Sequence, residues 1–215
     1  MRWFSTIGVV AVMAVSLLAG DEKARVFHFK KDDAGKVPAG WKADKTGKGE
    51  GSVWKVVADE TAPSKTGYVL AQTAESPSAV FNICVANDTN YKNLELSAAF
   101  KAVKGSVDQG GGLVWRYKDA NNYYVARMNP LEDNFRVYKV QDGKRTQFAS
   151  AEVKVPTGEW HRLKIENEGD HIECYLDGKL YLDVKDSTFT AAGKLGAWSK
   201  ADAQSYFDDI RVEER

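Results

Sequence analysis

Short runs of β-forming residues, separated by clusters of turn residues, fill the chain from Val26 onward. The clearest run is 93–103, where Leu94, Leu96 and Phe100 alternate with polar positions such as Glu95. Alternation with a period of two buries one face of a strand and leaves the other face in water. The runs recur at the spacing of about 8 to 12 residues that is typical of a β-sandwich, and a helical period is not sustained.

We predict fourteen strands from these runs. They lie at 26–30, 53–58, 67–72, 79–85, 93–103, 111–117, 123–129, 134–141, 145–150, 160–167, 171–176, 179–185, 193–199 and 205–213. The segment 32–51 is rich in Lys, Gly and Asp, and we predict a long loop there. This many short strands indicates an all-β fold, a two-sheet antiparallel jelly-roll sandwich.

Two Asp-Gly pairs support antiparallel hairpins. Asp142-Gly143 and Asp177-Gly178 each stand between two predicted strands. Both residues of such a pair tolerate the positive φ that a tight type I′ turn needs. The five prolines all fall in predicted connections or at their edges, where a missing amide hydrogen is tolerated.

Residues 168–173 reproduce a catalytic spacing that we interpret as a turn. Glu168, Asp170 and Glu173 have the Glu-x-Asp-x-x-Glu spacing of family 16 glycoside hydrolases. Retaining glycosidases need two carboxyl groups about 5 to 5.5 Å apart, held rigidly. Because Gly169 interrupts the segment, we expect a solvated bend between two strands and no glycosidase site of this kind.

The first twenty residues are typical of a signal peptide for export. Arg2 precedes an apolar run at 7–18, which is followed by small residues and then by Asp21. The run is shorter than the roughly 20 residues that a membrane-spanning helix needs. Asp21 stands where a lipoprotein would have its acylated cysteine. We therefore expect a signal peptide at 1–20, a periplasmic or extracellular domain at 25–213, and no stable membrane insertion after removal of the signal.

Charge and composition narrow the possible partners. The 215 residues contain 30 Lys and Arg and 30 Asp and Glu, so the formal charge is zero. The chain lacks the positive field that draws proteins to nucleic acid, so no nucleic-acid partner is expected. Cys84 and Cys174 either form a disulfide in an oxidising compartment or remain two separate thiols.

No cofactor or metal is predicted from the sequence. The three histidines, His28, His161 and His171, are scattered and show no ligand spacing. Calcium at Asp208 and Asp209 is the alternative, although adjacent strand residues point to opposite faces.

The hairpin at 122–141 is the most informative segment. If 130–133 form a four-residue loop, Arg127 lies opposite Arg136 and Tyr123 opposite Val140. One face then carries Met128, Phe135, Ala126 and Val137, while the other carries the guanidinium groups, amides and phenols. A second four-residue loop at 119–122 would add Arg116 to this polar face and place Trp115 and Tyr117 inside.

Two arginines directly opposite each other repel, so a compensating group is expected beside them. Glu132 or Asp133 could supply the counter-charge from the loop, giving a solvated lattice of ion pairs. Alternatively, the face binds a ligand that is anionic or rich in hydroxyl groups.

Five segments carry a resemblance to known families. They read EWHRLKI at 159–165, CYLDG at 174–178, FDDIRV at 207–212, GGLVWRY at 111–117 and NYYVAR at 122–127. The first three resemble laminin-G-like and concanavalin A-like domains. All five together resemble bacterial exported domains of the 3-keto-disaccharide hydrolase type, over roughly 25–213. Members of that group are lyases, hydratases or hydrolases of 3-keto-glycosides, whereas other members of the superfamily only bind glycans.

This resemblance implies carbohydrate as the partner, bound on a concave polar face. The ligand-binding candidates are Arg116, Tyr123, Arg127, Asn129, Asn134, Arg136, Tyr138 and Trp198, with Tyr138 or Trp198 stacking on a sugar ring. If the domain is an enzyme, Glu132 is the candidate base and an arginine would stabilise the enolate oxygen. The alternative is a non-catalytic laminin-G-like adhesion or structural module.

Overall fold

The computed structural model describes residues 24–215. The expected signal peptide at 1–20 lies outside the described residues. Within 24–215, no helix is both long and apolar enough to cross a bilayer. This part of the chain contains fifteen β-strands and a short 3-10 helix at Lys31–Asp33.

The strands are numbered in chain order. They are β1 (Arg25–Phe27), β2 (Trp41–Thr46), β3 (Trp54–Ala58), β4 (Tyr68–Gln72), β5 (Phe81–Ala86), β6 (Leu94–Lys104), β7 (Gly111–Asp119), β8 (Asn122–Asn129), β9 (Asn134–Gln141), β10 (Lys144–Glu152), β11 (Trp160–Glu168), β12 (His171–Leu176), β13 (Lys179–Lys185), β14 (Lys194–Lys200) and β15 (Gln204–Glu214).

The strands form two antiparallel sheets. Sheet A has the order β13-β12-β11-β6-β15-β4-β3, with β1 also paired to β15, and sheet B has the order β10-β9-β8-β7-β14-β5-β2. The fold is therefore the predicted two-sheet, all-β sandwich of the jelly-roll type.

A shared apolar core lies between the sheets. Phe100 and Phe207 contribute to it from sheet A, and Trp115 and Phe135 from sheet B. The indole Nε1 of Trp115 donates a hydrogen bond to the buried side-chain oxygen of Asn167 at 2.9 Å, which joins the two sheets directly. A buried amide of this kind is tolerated because its polar atoms have partners.

Both predicted Asp-Gly turns are confirmed. Asp142 and Gly143 have φ of 51° and 77°, and Asp177 and Gly178 have φ of 49° and 81°. Each pair joins strands whose flanking residues lie directly opposite each other. The predicted bend at 168–170 is also confirmed, since β11 ends at Glu168, β12 begins at His171 and the intervening residues are exposed.

The prediction of a continuous loop at 32–51 was wrong in one part. β2 runs from Trp41 to Thr46 and pairs with β5 at the edge of sheet B. Its sequence is rich in Lys and Asp, which suits an exposed edge strand but carries little of the apolar alternation of a central strand.

The two cysteines are unpaired and buried. Cys84 lies in β5 of sheet B, and Cys174 lies in β12 of sheet A. Burial raises the pKa of both thiols. Of the two alternatives that the sequence allowed, the structure confirms separate thiols acting as small core residues.

Candidate functional site

The predicted pairing of the β8–β9 hairpin is confirmed. Arg127 lies opposite Arg136, Tyr123 opposite Val140, and Asn129 opposite Asn134. The core side of the hairpin carries Ala126, Met128, Phe135 and Val137. The other side belongs to the face of sheet B that is turned away from sheet A, which we call the outer face.

Apolar residues occupy much of the outer face. Ten of its residues form a second buried cluster: Phe81, Ile83, Val85, Val114, Tyr117, Tyr123, Val125, Tyr138, Val140 and Trp198. The polar groups of the hairpin lie beside this cluster, next to the loop at 130–133. The outer face is therefore less uniformly polar than the alternation of the hairpin alone predicts.

Glu132 holds the two opposed arginines together. Its Oε2 accepts hydrogen bonds from Nη2 of Arg127 at 2.8 Å and from Nη1 of Arg136 at 3.0 Å. The same oxygen accepts a third hydrogen bond, at 3.1 Å, from the side-chain amide of Asn134. The loop thus supplies the counter-charge that the opposition of like charges requires.

These contacts set the ionisation of Glu132. Burial by itself raises the pKa of this carboxyl, but the hydrogen bond and charge of Arg127, together with Asn134 and Arg136, outweigh it and hold the pKa at about 2. Glu132 is therefore a carboxylate at neutral pH and a weak base.

Asp108 supports the site through its hydrogen bond to Asn129. Its buried carboxylate accepts a hydrogen bond from the side-chain amide of Asn129 at 3.0 Å and one from the backbone N–H of Gly110 at 2.6 Å. Its second oxygen accepts a bond from Nζ of Lys200 at 3.1 Å. Asn129 is thereby fixed within the protein.

Arg127 keeps several unused donors. Its side chain is only 1% exposed, yet Nε and Nη1 have no hydrogen-bond partner. Nη2 donates to Glu132 and, at 3.3 Å, to the hydroxyl of Tyr138. A buried charged group with unsatisfied donors is costly for the folded protein.

Arg145 lies over the aromatic part of the outer face. Its guanidinium carbon is 4.5 Å from the ring centre of Tyr138, 4.8 Å from that of Phe81 and 5.9 Å from that of Trp198. Nη1 of Arg145 is also buried without a partner. Burial lowers the pKa of Arg145, and the neighbouring charge of Arg127 lowers it further.

Comparison with known sequences assigns the chain to a protein family. Residues 29–213 match the sequence profile of the 3-keto-alpha-glucoside-1,2-lyase-like domain. The chain belongs to this family. A levanase of Bacillus subtilis (strain 168) is 32% identical over 112 residues, which are 51% of this chain and 16% of the levanase. The matched part is thus a small fraction of that relative.

Solved structures share the fold of this lyase-like domain. The carbohydrate binding module CBM66 from Bacillus subtilis superimposes with a TM-score of 0.65 and 22% identity, covering 81% of this chain and 96% of the module. A protein of unknown function with a galectin-like fold, also from Bacillus subtilis, gives a TM-score of 0.57 and 11% identity, covering 81% of this chain and 89% of the other.

The prediction that Arg116 shares the polar face of the lyase-like domain was wrong. Arg116 has a positive φ of 44° within an irregularity of the β7–β8 pairing. Its guanidinium donates to the backbone carbonyls of Lys92, Phe189 and Gly169. Arg116 therefore fastens loops of the sandwich and does not join the other arginines.

The same irregularity reverses the expected direction of Tyr117. This residue was predicted to be inside, with Trp115, but it packs on the outer face, where its ring stacks on Tyr123 at 6.0 Å between ring centres. Its hydroxyl donates to Asp44 at 2.8 Å. A bulge adds a residue to one strand and thereby exchanges the faces of those that follow.

Tyr123 and Trp198 lie on the expected face but have no exposed surface. Nε1 of Trp198 donates to the hydroxyl of Tyr123 at 3.3 Å, and this hydroxyl lies 2.8 Å from that of Thr46. Trp198 is thus part of the packed cluster, and stacking on a sugar would require movement of Arg145. The partly exposed groups are Arg136, Glu132 and Arg145.

Two contributors to the site were missed from sequence. Arg145 lies opposite Val140 across the Asp142-Gly143 turn, so the two-residue turn could have placed it on this face. Asp108 reaches Asn129 from the connection between β6 and β7, and no local pattern indicates that contact.

Within residues 24–215, a group of possible metal ligands lies on sheet A, away from the arginines of sheet B. His171, Glu173 and Asp183 of sheet A bring three donor atoms within 4.8 Å of one another, a set that depends on pairing between β12 and β13. Asp208 accepts a hydrogen bond from the backbone of Ser64, and Asp209 forms an ion pair with Arg162. Calcium at the two aspartates stays a prediction.

We expect Glu132→Gln to destabilise the domain by about 1–3 kcal/mol at neutral pH, because it leaves buried Arg127 without its counter-charge. The folded-state pKa of about 2 lies below the ordinary 4.5, so this contribution is present above pH 4.5 and is lost as the pH falls towards 2. Thermal unfolding followed by circular dichroism should show the Tm difference from wild type shrinking over that range. Glu152→Gln, an exposed carboxyl on the same face, is the control; a Tm difference independent of pH would contradict the assignment.

Proposed function

We propose that the domain binds carbohydrate on the outer face of sheet B, beside the loop at 130–133. The observation that carries this proposal is the incompletely bonded guanidinium of Arg127, whose Nε and Nη1 are buried without acceptors. Planar guanidinium groups next to aromatic rings suit hydroxyl-rich ligands, because one part donates hydrogen bonds and the other packs on the sugar ring.

The partly exposed groups define where such a ligand would first make contact. Arg136, Glu132 and Arg145 border the polar end of the outer face. Glu132 uses one oxygen for three donors, so its other oxygen would accept from a sugar hydroxyl. Tyr138 is only 3% exposed beneath Arg145, and we assign its ring to stacking on a sugar after Arg145 moves aside.

The similar proteins support this assignment without deciding it. One is a levanase, and another is described as a carbohydrate binding module. Both names refer to those proteins, and the present chain shares the fold with the module and a partial sequence match with the levanase.

We expect Arg127→Ala and Arg136→Ala each to weaken glycan binding at least tenfold, which corresponds to the loss of about 1.4 kcal/mol of binding free energy. A glycan array would identify the ligand, and calorimetric titration would measure its affinity. Arg211→Ala, on β15 of the other sheet, is the matched control and should bind as the wild type does.

Circular dichroism spectra and Tm values would establish that each variant is folded. Since Arg127 is buried, the partly exposed Arg136 keeps the proposal testable if Arg127→Ala is unstable. Unchanged affinity in a folded Arg136→Ala variant, with a bound glycan identified, would place binding elsewhere on the molecule.

Hydrolysis or lyase cleavage of 3-keto-glycosides is the second candidate function, and the family match supports it. The carbonyl of a 3-keto sugar acidifies the neighbouring proton, and removal of that proton leaves an enolate oxygen that Arg127 could stabilise. With a pKa of about 2, Glu132 suits the role of counter-charge better than that of the base.

If this second function holds, purified protein will convert 3-keto-glycosides to products visible by NMR, and Arg127→Ala will slow the conversion at least tenfold through loss of enolate stabilisation. Glycan binding without any conversion would instead support the non-catalytic laminin-G-like module.

We further propose that the domain is exported to the periplasm or the medium, on the strength of the signal-like pattern at 1–20. Expression in a bacterial host followed by fractionation should recover a shortened protein outside the cytoplasm. Deletion of 2–20 is the control and should retain the domain inside. Recovery of the full-length chain in the cytoplasm would contradict this proposal.

A further inference from the structure

Two guanidinium groups converge on one tyrosine of the outer face. The guanidinium carbon of Arg127 is 5.9 Å and that of Arg145 is 4.5 Å from the ring centre of Tyr138. Each arginine has buried donors without acceptors: Nε and Nη1 of Arg127, and Nη1 of Arg145. Since every Nη carries two hydrogens and Nε carries one, five N–H donors beside this ring lack a protein acceptor. These donors are buried, so a ligand would reach them when the side chain of Arg145 turns outward.

Protein carboxylates leave this pair of arginines incompletely compensated. Glu132 shares one oxygen between Arg127 and Arg136, and Asp108 forms its ion pair with Lys200. Among residues 24–215, Arg145 forms no ion pair with a carboxylate within 4.0 Å, and the more distant charge of Asp108 opposes its repulsion with Arg127 only from beyond that range.

The charged groups around the two arginines also leave an excess of positive charge. The cations are Arg127, Arg136, Arg145 and Lys200, and the carboxylates are Glu132, Asp108 and Glu152, the last lying opposite Asn134 and exposed. At the margin of this group, Asp133 pairs with Lys154 and Asp44 pairs with Lys42, so these aspartates do not change the balance. One positive charge is in excess, and it lies on the side where the unused donors are. A neutral hydroxyl would accept some of these hydrogen bonds but would leave that charge uncompensated.

We infer that the carbohydrate recognised at this face carries an anionic group, a carboxylate such as that of a uronic acid, held between Arg127 and Arg145. The inference rests on the proposed function. The two oxygens of a carboxylate match the planar fork of a guanidinium, and charge-assisted hydrogen bonds are roughly twice as strong as neutral ones. The ring of Tyr138 would lie beneath the sugar that bears the carboxylate.

The test uses pairs of ligands that differ only in the anionic group. Full-length protein is titrated with uronic-acid oligosaccharides, with the same oligosaccharides after reduction of each carboxyl to a hydroxymethyl group, and with sulfated neutral oligosaccharides. We expect the carboxylated member of a pair to bind at least tenfold more tightly than its reduced counterpart. Stronger binding of the sulfated set than of the carboxylated set would overturn the choice of carboxylate.

A variant of Arg145 tests whether this residue causes the preference for the carboxylated ligand. Arg145→Gln removes the charge, keeps a long side chain on an exposed strand, and should weaken binding of the carboxylated ligand at least fivefold more than binding of the reduced ligand. Arg211→Gln is the control and should leave the ratio of the two affinities unchanged. Raising the salt concentration should lower the affinity of the carboxylated ligand more than that of the reduced one.

The outcomes separate this inference from the function on which it rests. Equal binding of charged and reduced ligands, both weakened by Arg136→Ala, would refute the anionic preference and leave carbohydrate binding intact. Absence of binding to any glycan, charged or neutral, would refute both.

Discussion

The opposition of Arg127 and Arg136 across β8 and β9 is the constraint on which the site depends. Antiparallel pairing fixes the two guanidinium groups side by side, where they repel each other. Glu132, supplied by the loop that joins the same two strands, bonds to both. The hairpin therefore contains both the repulsion and its relief.

Sheet B packs apolar side chains on both of its faces. Its inner face contributes to the core with sheet A, and its outer face carries the separate cluster around Tyr123, Tyr138 and Trp198. The outer cluster gives the guanidinium groups a surrounding of low polarity, in which hydrogen bonds and charges count for more than in water. The unsatisfied donors of Arg127 consequently lower the stability of the folded protein, and a ligand that accepts hydrogen bonds from them would gain binding free energy.

The sequence was sufficient to predict the sandwich and the register of the central hairpin. The four-residue loop at 130–133 and the Asp142-Gly143 turn are local signals, and each determines pairing directly. Arg116 could not be placed in this way, because the bulge around it changes the face of Tyr117 and leaves no mark in the alternation. The contact of Asp108 with Asn129 could not be predicted either, because it depends on packing between a loop and a strand. The strand β2 was missed because it is an edge strand with few apolar residues, so its sequence shows little alternation.

The most direct test of the account is to observe the arginine side chains themselves while a glycan binds. In a 1H–15N NMR titration, the account predicts that the Nε–H resonance of Arg127, which has no acceptor in the free protein, shifts saturably with the bound glycan. The Nε–H of Arg116, already bonded to the carbonyl of Lys92, should stay in place. Saturable glycan binding that leaves the Arg127 resonance unmoved would contradict the claim that the outer face of sheet B is the binding site.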